Sequence, residues 1–443
     1  MMEFLTNSVS SLLSFIFLLG VVIFVHEAGH MLVAKAFGVR VLTFSLGFGK
    51  RLWGFTRGET DYRVAAIPLG GYVKMSGELA GEEGDDPADF LNKPRWQRFL
   101  VYLAGPAMNA VLSVFVVAIV FMVGIAVPAS QDIAARVGYV IHGSPAEAAG
   151  LESGDQILEV NGESVELWDE VQALLMTSNA EPVQLRVERG SESFEAQVTP
   201  SPIPGHHLSD TGGILPEELL TVTELVPDKP AIKAGLQTGD ILRTMDHQPV
   251  ASFPVFVEYI SARPGQEILL DVERDGASLV LAVTPENLDG LGRIGLRAGN
   301  YQRYGFGKAF VESVRHNIWI VRQTGFVLSQ IFTRRISAEK AVSGPIEIAT
   351  ISGQAAREGF RYLLYLMGVI SISIGLMNLL PIPVLDGGQI FILGIEGIIR
   401  RDLPLKAKEV INQVGFVLIM LIMLSVIFFD LKKKFLPGLM LGL

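Results

Sequence analysis

The sequence contains no cysteine, which excludes disulfide bridges and thiolate metal ligands. Charged residues are also scarce: they make up 19% of the 443 residues, whereas hydrophobic residues make up 49%. The mean hydropathy of +0.40 is too high for an ordinary soluble protein. The composition therefore predicts several membrane spans, and we expect no nucleic-acid partner.

Four long apolar runs could each cross the bilayer as a helix, for which about 20 residues are needed. They occupy residues 9–34, 99–127, 362–385 and 410–429. The first run could instead be a signal peptide, but it lacks a basic n-region and a small-residue cleavage site, and its far end carries charges. We therefore predict that it is a span.

Basic residues in the short loops predict the orientation, because cytoplasmic loops carry an excess of Lys and Arg. The stretch 35–98 holds ten of them, and the link before the last span holds Arg400, Arg401, Lys406 and Lys408. Both loops should face the cytoplasm. The middle region, with 31 acidic against 18 basic residues over 129–360, should then lie outside. The basic run Lys432–Lys434 argues the other way, but four spans place both termini on one side.

The middle region contains an internal repeat with a constant offset of 85 residues. The positions Pro145, Ala146, Ala149, Gly150, Leu151, Gly154 and Asp155 align with Pro230, Ala231, Ala234, Gly235, Leu236, Gly239 and Asp240. Each copy is typical of a helix ended by glycine, a Gly-Asp turn and alternating strands. The copies resemble PDZ domains, which capture an extended peptide or a chain terminus along a strand edge. Two structural β domains without a ligand are the alternative.

Two further segments are predicted to lie at the membrane surface. Residues 306–336 are typical of an amphipathic helix that is too polar to span; a soluble helix packed on the second repeat copy is the alternative. Residues 60–75 are predicted to form two short strands joined around Pro68, Gly70 and Gly71. This hairpin is apolar enough to sit at the membrane.

The first span contains the string His26-Glu27-Ala28-Gly29-His30, an H-E-x-x-H pattern on a helix. In helical geometry the two histidines lie about 40° apart and Glu27 about 100° from His26, so all three share one side. Two imidazoles at this spacing can bind one zinc ion, while the carboxylate takes a proton from its water. Ionisable residues are costly inside a membrane, which favours a functional site over polar residues paired with a neighbouring helix.

The third span supplies the third ligand expected of a zinc site. It contains the string NLLPIPVLDGG, from Asn378 to Gly388, and its prolines break the helix. Asp386 is the candidate ligand. The first and third spans run in the same direction, and both motifs fall toward their C-terminal ends, so the residues should lie at similar depth on the cytoplasmic side.

Four motifs together resemble the site-2 proteases, a family of intramembrane zinc metalloproteases. They are HEAGH in the first span, GPAMN (Gly105 to Asn109) in the second, NLLPIPVLDGG in the third and the two PDZ-like copies. The resemblance covers almost the whole chain, without a departure at the ligand positions. It implies one Zn²⁺ per chain, held by His26, His30 and Asp386, with Glu27 as the catalytic residue.

The resemblance also implies residues that hold the substrate. These are Asn378, Gly70, Gly71, Tyr72, Pro381 and Pro383. Asn378 would hold the substrate or the developing oxyanion. The hairpin around Gly70 would pair with the substrate, which must be extended because a helix hides its peptide bonds. Asn109 either hydrogen-bonds near the site or packs helices together.

The predicted fold is a multi-pass α-helical membrane protein with four transmembrane helices and two inserted PDZ-like α+β domains. The predicted segments are a first transmembrane helix over 1–34, a cytoplasmic loop over 35–98, a second helix over 99–127, PDZ-like domains over 128–219 and 220–305, amphipathic helices on the periplasmic surface over 306–361, a third helix over 362–387, a cytoplasmic link over 388–409, a fourth helix over 410–431 and a tail over 432–443.

The resemblance implies an endopeptidase of the bacterial inner membrane, with periplasmic PDZ-like domains that exclude bulky substrates. Its substrates would be single-pass membrane proteins, namely an anti-sigma factor already shortened by another protease, in envelope stress signalling, and remnant signal peptides. A membrane-anchored PDZ adaptor or chaperone without activity is the first alternative. A transporter is the second, but four spans without an inverted repeat do not favour it.

Overall fold

The computed structural model describes residues 2–78, 86–127, 133–177, 181–200, 212–216, 220–250, 252–274, 276–288, 290–333 and 344–435. Parts of the predicted PDZ-like domains, of the amphipathic region and of the C-terminal tail lie outside these residues. The chain divides into two compact units. The first consists of Met1–Val123 with Tyr304–Leu443, and the second is Gly124–Arg303.

The first unit is mainly helical. With helices numbered along the whole chain, its elements are α1 (Met2–Ala36), β1 (Val41–Arg57), β2 (Thr60–Met75), a 3₁₀ turn (Phe90–Asn92), α2 (Arg95–Val123), α7 (Phe306–Phe332), α8 (Pro345–Glu358), α9 (Phe360–Asn378), α10 (Asp386–Ile399) and α11 (Leu405–Phe435). Among the described residues, the segments Val9–Ala36, Arg95–Val123, Phe360–Asn378 and Lys406–Leu431 are long and apolar enough to cross a membrane. The chain is therefore a membrane protein.

The third apolar run differs from its predicted extent of 362–387. Helix α9 ends at Asn378, and the chain is irregular until α10 begins at Asp386. Pro381 and Pro383 account for this break, because each removes a backbone N–H and collides with the preceding helical turn. Most of the predicted link 388–409 is therefore helix, and Asp386 starts a new helix instead of ending the third span.

The predicted hairpin over 60–75 is also different. Its two halves, Asp61–Val64 and Gly71–Lys74, both pair with Thr43–Leu46, and the register pairs none of their residues with each other. The tip of the sheet is formed by Trp53–Arg57 against Thr60–Val64. The strand Val41–Arg57 was not predicted, and it supplies the hydrogen-bonding edge that both halves need.

This sheet is held against the helices by a small apolar core. Val41 and Met75 are buried together with Ala34 of α1, Phe90 of the 3₁₀ turn and Val101 of α2. The far end of the sheet exposes large apolar side chains instead; they are Phe48, Leu52, Trp53, Phe55 and Ile67. An exposed apolar patch of this kind suits contact with a membrane surface.

Helix α7 packs against the apolar helices. His316 lies against Phe121 of α2 and Tyr365 of α9, and Ser113 of α2 donates a hydrogen bond to Asn317 at 2.6 Å. Ser113 is ten residues before the end of α2, so the middle of α7 lies beside the C-terminal half of that helix. These contacts do not support the alternative in which α7 packs on the second repeat copy.

The second unit repeats one arrangement of strands and helices at the predicted offset of 85 residues. The first copy contains β4 (Val137–Val140), α3 (Pro145–Ala148), β5 (Gln156–Val160), β6 (Glu163–Ser164), α4 (Trp168–Thr177), β7 (Val183–Arg189), β8 (Glu192–Val198) and β9 (Ile214–Pro216). The second contains β10 (Leu220–Leu225), α5 (Pro230–Lys233), β11 (Ile241–Met245), β12 (Gln248–Pro249), α6 (Phe253–Ser261), β13 (Ile268–Arg274), β14 (Ala277–Val283) and β17 (Leu296–Gln302).

Three short strands complete this unit: β3 (Ile125–Val127) pairs with β17, and β15 (Glu286–Leu288) pairs with β16 (Leu291–Arg293). The buried aspartate of the Gly-Asp turn recurs in both copies. Asp155 accepts two hydrogen bonds from Arg189, and Asp240 accepts two from Arg274. Each arginine also donates to the carbonyl that follows the short helix, so the pair fastens β7 or β13 to the Gly-Asp turn.

Candidate metal centre

Three predicted ligands meet between α1 and the start of α10. The Nε2 atoms of His26 and His30 are 3.2 Å apart. Asp386 places Oδ2 at 3.2 Å from Nε2 of His26 and Oδ1 at 3.4 Å from Nε2 of His30. Both histidines are buried, with 8% of their surface exposed. The structure thus brings together the residues that the sequence motifs predicted.

These separations fit a tetrahedral zinc ion. With zinc–ligand bonds of about 2.05 Å, neighbouring corners of a tetrahedron lie about 3.3 Å apart. The 3.2 Å between the two Nε2 atoms matches that edge, and Asp386 places one oxygen within 3.4 Å of each nitrogen, so its carboxylate can supply the third ligand. Two nitrogens and one carboxylate also form a ligand set that zinc accepts in catalytic sites.

The tautomer of His30 supports the same assignment. Its Nδ1 lies 2.7 Å from the backbone oxygen of Val101, so Nδ1 carries the proton and donates it. In the neutral ring that metal binding requires, Nε2 then carries the lone pair, and it faces Nε2 of His26 and the carboxylate of Asp386. Facing acceptors repel each other unless a cation lies between them, and a metal ion supplies that cation.

Asn109 of α2 is the outer neighbour of His26. It is fully buried, its amide nitrogen is 3.2 Å from Nδ1 of His26, and among the described residues its Oδ1 has no hydrogen-bond partner. Turning the amide by 180° lets Oδ1 accept the Nδ1 proton, which leaves Nε2 of His26 free to bind metal. This contact supports the hydrogen-bonding role of Asn109 over simple helix packing.

Two glycines that the sequence analysis gave no role allow α2 to approach the histidines. A Cβ atom on Gly105 would lie 2.6 Å from Cε1 of His30 and 2.8 Å from Cε1 of His26. A Cβ on Gly29 would meet the backbone oxygen of Ala104 and come within 2.8 Å of the Met108 side chain. Small residues inside apolar helices were the available signal, because they let helix backbones approach closely.

Glu27 lies beside the three ligands and contacts the sheet. It interacts electrostatically with both histidines and with Asp386, and it forms a hydrogen bond with the backbone of Val73. A Cβ on Gly71 would be 3.0 Å from Cγ of Glu27 and 2.9 Å from the oxygen of Ser45. Strand Gly71–Met75 therefore has one edge on Val41–Leu46 and its other edge toward Glu27.

The neighbours of Gly71 have structural roles as well. Tyr72 stacks on Phe48, with ring centroids 6.0 Å apart and an interplanar angle of 8°. A Cβ on Gly70 would overlap the same Phe48 ring. Gly70 is thus required by packing within the sheet, and any role in binding substrate comes in addition to that.

The break between α9 and α10 carries the remaining predicted residues. Asn378 is the last residue of α9, and Pro381 and Pro383 lie in the irregular segment that leads to Asp386. A Cβ on Gly387 would strike the oxygen of Leu379, and one on Gly388 the oxygen of Ile382. The two glycines after the aspartate therefore let the first turn of α10 fold back onto this segment.

Apolar helices that hold two histidines, a glutamate and an aspartate around one point define a membrane-embedded metalloprotease. The sequence profile of peptidase family M50 matches residues 14–422. The chain belongs to this family, the site-2 proteases indicated by its motifs, and it is a zinc-dependent intramembrane protease.

Curated relatives match over nearly their whole length. The regulator of sigma-E protease RseP of Escherichia coli is 33% identical over 95% of this chain and 98% of the relative. A zinc metalloprotease of Neisseria meningitidis is 32% identical over 96% of this chain and 99% of its own length. Protease RseP of Yersinia pestis is 31% identical over 96% and 98%. These names do not favour a PDZ adaptor without activity.

Among solved structures, the PDZ domain of an SdrC-like protein from Listeria monocytogenes aligns with 18% of this chain and 87% of its own length. The sequence identity is 19% and the TM-score is 0.17. A related domain from Listeria innocua gives 22% identity and the same score. Scores this low carry no conclusion about the fold of the second unit.

Proposed function

We propose that this chain cleaves membrane-spanning segments of single-pass proteins at the centre formed by His26, His30 and Asp386. These three residues hold one zinc ion, and Glu27 is the general base. The observation that carries the proposal is the set of separations of 3.2–3.4 Å among the three ligands, inside apolar helices. An N₂O ligand set leaves one position of a tetrahedral site for water or substrate.

The roles of the side chains follow from their positions. Zinc, when bound, supplies an activated water and polarises the peptide carbonyl. Glu27 takes the proton of the attacking water and delivers it to the leaving amine. Val101 and Asn109 fix the orientation of the two imidazole rings from α2. Asn378, the last residue of α9, is assigned the role of holding the substrate or its developing oxyanion, as the family resemblance implies.

The substrate is held as an added strand on the Gly71–Met75 edge. A helical segment hides its peptide bonds, so it must be extended before hydrolysis, and an unpaired strand edge stabilises the extended form through main-chain hydrogen bonds. The proximity of Gly71 and Val73 to Glu27 supports this edge as the binding strand. Tyr72, Pro381 and Pro383 are assigned to substrate binding on the family resemblance.

The site faces the cytoplasmic half of the inner membrane, and the second unit lies in the periplasm as two PDZ-like modules. The asymmetry of basic residues in the loops supports this orientation. Because two relatives are named for RseP, an anti-sigma factor shortened by another protease is the proposed natural substrate, with remnant signal peptides as a second class. In the second module a cavity of about 580 Å³, lined by Phe256, Ile260 and Leu296, supports capture of a peptide terminus.

The test uses purified protein in liposomes with a transmembrane peptide. Glu27→Gln should abolish cleavage but retain zinc, because the ligands remain and the base is lost. Asp386→Ala should lose both. The matched control is Glu358→Gln at the end of α8, which should cleave and bind zinc as the unmodified protein does. Normal cleavage by Glu27→Gln, or normal zinc content in Asp386→Ala, would contradict the proposed roles.

Strand pairing is tested from the substrate side, because substitutions at Gly70 or Gly71 would also collide with Phe48, Ser45 or Glu27. Replacing single peptide amides by esters removes one hydrogen-bond donor at a time. If the substrate adds to the strand edge, alternate positions should be sensitive, since every second residue of a strand points its N–H to the same side. Uniform or absent sensitivity along the peptide would refute strand pairing.

A further inference from the structure

A second feature of the helical unit is a cavity of about 770 Å³ between α2, α10 and α11. It is lined by Arg98 and Tyr102 of α2, by Gln389, Leu393 and Glu396 of α10, and by Lys408 of α11. None of these residues was predicted from the sequence to have a functional role, and the zinc mechanism does not use them.

The cavity wall contains two buried polar atoms whose hydrogen-bonding capacity is unused. Glu396 has no exposed surface; its Oε1 accepts the Leu403 N–H at 2.9 Å and lies 2.7 Å from Nζ of Lys408. Its Oε2 has no hydrogen-bond partner among the described residues. Arg98 is 4% exposed, and its Nε atom also has no hydrogen-bond partner among the described residues.

These two atoms match the groups that a peptide carries. A buried carboxylate oxygen without a partner is costly and is stabilised by a cation or an N–H donor. A buried guanidinium N–H calls for an acceptor such as a main-chain carbonyl. Each group already has one charged neighbour, since Lys408 lies 2.7 Å from Oε1 of Glu396 and Asp402 lies 3.5 Å from Arg98. The positions left for a ligand are therefore Oε2 of Glu396 and Nε of Arg98.

Three residues of the cavity wall lie on the face of α10 that also carries the metal ligand Asp386. Asp386, Gln389, Leu393 and Glu396 are spaced by three, four and three residues, which places them in one line on the helix. Ten residues of α-helix rise about 15 Å. Glu396 therefore lies about 15 Å from the metal ligand, toward the end of the unit where α2 and α11 begin.

We propose that this cavity is a subsite for the cytoplasmic flank of the substrate and that Glu396 binds a lysine or arginine there. The inference rests on the proposed function and specifies its substrate class. Spanning proteins carry Lys and Arg at their cytoplasmic ends, so a cationic flank is available in the substrates considered. An extended chain rises about 3.3 Å per residue, so 15 Å places the cation four or five residues from the scissile bond.

The first experiment compares transmembrane peptides with the unmodified protein in liposomes. The peptides carry Lys, Gln or Glu at one position, moved from two to eight residues from the scissile bond on the cytoplasmic side. We expect Lys to raise kcat/KM about tenfold over Gln at four or five residues, the effect of a charged hydrogen bond, and Glu to lower it. Equal stimulation at every position would indicate general surface attraction and would overturn the subsite.

The second experiment removes the negative charge. Glu396→Gln should reduce the Lys-over-Gln ratio from about ten to about one, whereas Glu358→Gln, a matched change outside the cavity lining, should keep it. A full ratio in Glu396→Gln would overturn the proposal. If that variant instead responded only to the phosphatidylethanolamine content of the liposomes, the cavity would bind a lipid headgroup, which also overturns it.

A crosslinking experiment separates this inference from the proposed function. Because the chain has no cysteine, Leu393→Cys in the cavity wall and Phe391→Cys, an exposed control on the same helix, each introduce a single thiol. In Glu27→Gln protein, disulfide formation with a peptide cysteine three or four residues from the scissile bond should occur at Leu393→Cys only. If the unmodified protein cleaved the Gln peptide but the Leu393→Cys protein formed no crosslink, the subsite would be refuted and the proposed protease activity would stand. If the unmodified protein cleaved no peptide, both proposals would be refuted.

Discussion

The alanine substitution of Gly105 tests whether α2 forms the wall of the zinc site. Its Cβ would lie 2.6 Å from Cε1 of His30 and 2.8 Å from Cε1 of His26, whereas ordinary contacts begin at 3.4 Å. Nε2 of His30 would lie closer still, so the ring would have to move by at least about 0.8 Å to restore ordinary contacts. Metal sites accept deviations of only about 0.2 Å in ligand distance, so the shift removes His30 as a ligand.

The ring has no free direction in which to move. Its Nδ1 is held by Val101, which lies on α2 as Gly105 does, so a tilt of the ring breaks that hydrogen bond. Displacing α2 instead would break both this bond and the contact of Asn109 with His26. Disturbing an outer partner alone costs 10–100-fold in metal affinity, so we expect at least about 100-fold loss for Gly105→Ala, or about 2.7 kcal/mol.

The assay is a titration of zinc against a chelator of known affinity, with purified protein in detergent, together with peptide cleavage in liposomes. The matched control is Gly20→Ala in α1, where an added Cβ has no other atom within 4 Å. That variant should bind zinc and cleave as the unmodified protein does. Gly105→Ala with zinc affinity within about threefold of normal would show that the two histidines are not arranged as described.

Three further predictions concern other parts of the molecule. Asp240→Ala should destabilise the second repeat copy by about 3 kcal/mol, because it removes the buried carboxylate that pairs with Arg274. Limited proteolysis of the full chain should then cut faster within 220–303, and an unchanged rate would contradict this prediction. Burial lowers the pKa of His316 to about 4, so its contribution to stability is complete above pH 6.5 and is lost as the pH falls toward 4. When the pH is lowered from 7.5 to 5, the free energy of unfolding of the unmodified protein should fall by roughly 2 kcal/mol more than that of the His316→Phe variant, as measured by thermal unfolding. Equal losses in the two proteins would refute this prediction. Deleting residues 133–300 should leave zinc binding intact and extend cleavage to substrates with a large outer domain. If the folded, zinc-loaded deletion variant cleaved neither short nor long substrates, the second unit would instead deliver the substrate.

The ligands and the repeat were predictable because their signals are local or periodic. The H-E-x-x-H spacing places both histidines on one face of any helix, and the 85-residue offset separates the first residues of β5, β6, β7 and β8 from those of β11, β12, β13 and β14. The strand Val41–Arg57 was missed because Gly47, Gly49 and Gly54 interrupt its alternation of apolar residues. Its pairing with both halves of β2 depends on chain reversal that a local pattern does not encode.

The contributions of α2 could be predicted only in part. The family motif GPAMN identified Asn109 as a candidate for hydrogen bonding near the site, with helix packing as the alternative. The role of Gly105 depends on how closely α2 approaches α1, which is a property of helix packing and not of either helix alone. The same holds for Glu396: its sequence neighbourhood is an ordinary apolar helix, and only the packing of α10 against α2, with Lys408 of α11 beside the carboxylate, shows it to be buried.

The break after α9 explains how a third ligand reaches the two histidines. In a continuous third span, Asp386 would lie in the middle of a helix, where all backbone N–H groups are hydrogen-bonded within the helix and none is free to stabilise a carboxylate. Because Pro381 and Pro383 end α9, Asp386 instead occupies the first turn of α10, where the helix dipole favours a carboxylate. Gly387 and Gly388 let that turn fold back on the irregular segment. Three acceptors facing one another in an apolar surrounding are unfavourable without a cation, so zinc binding and the docking of α10 onto α1 stabilise each other.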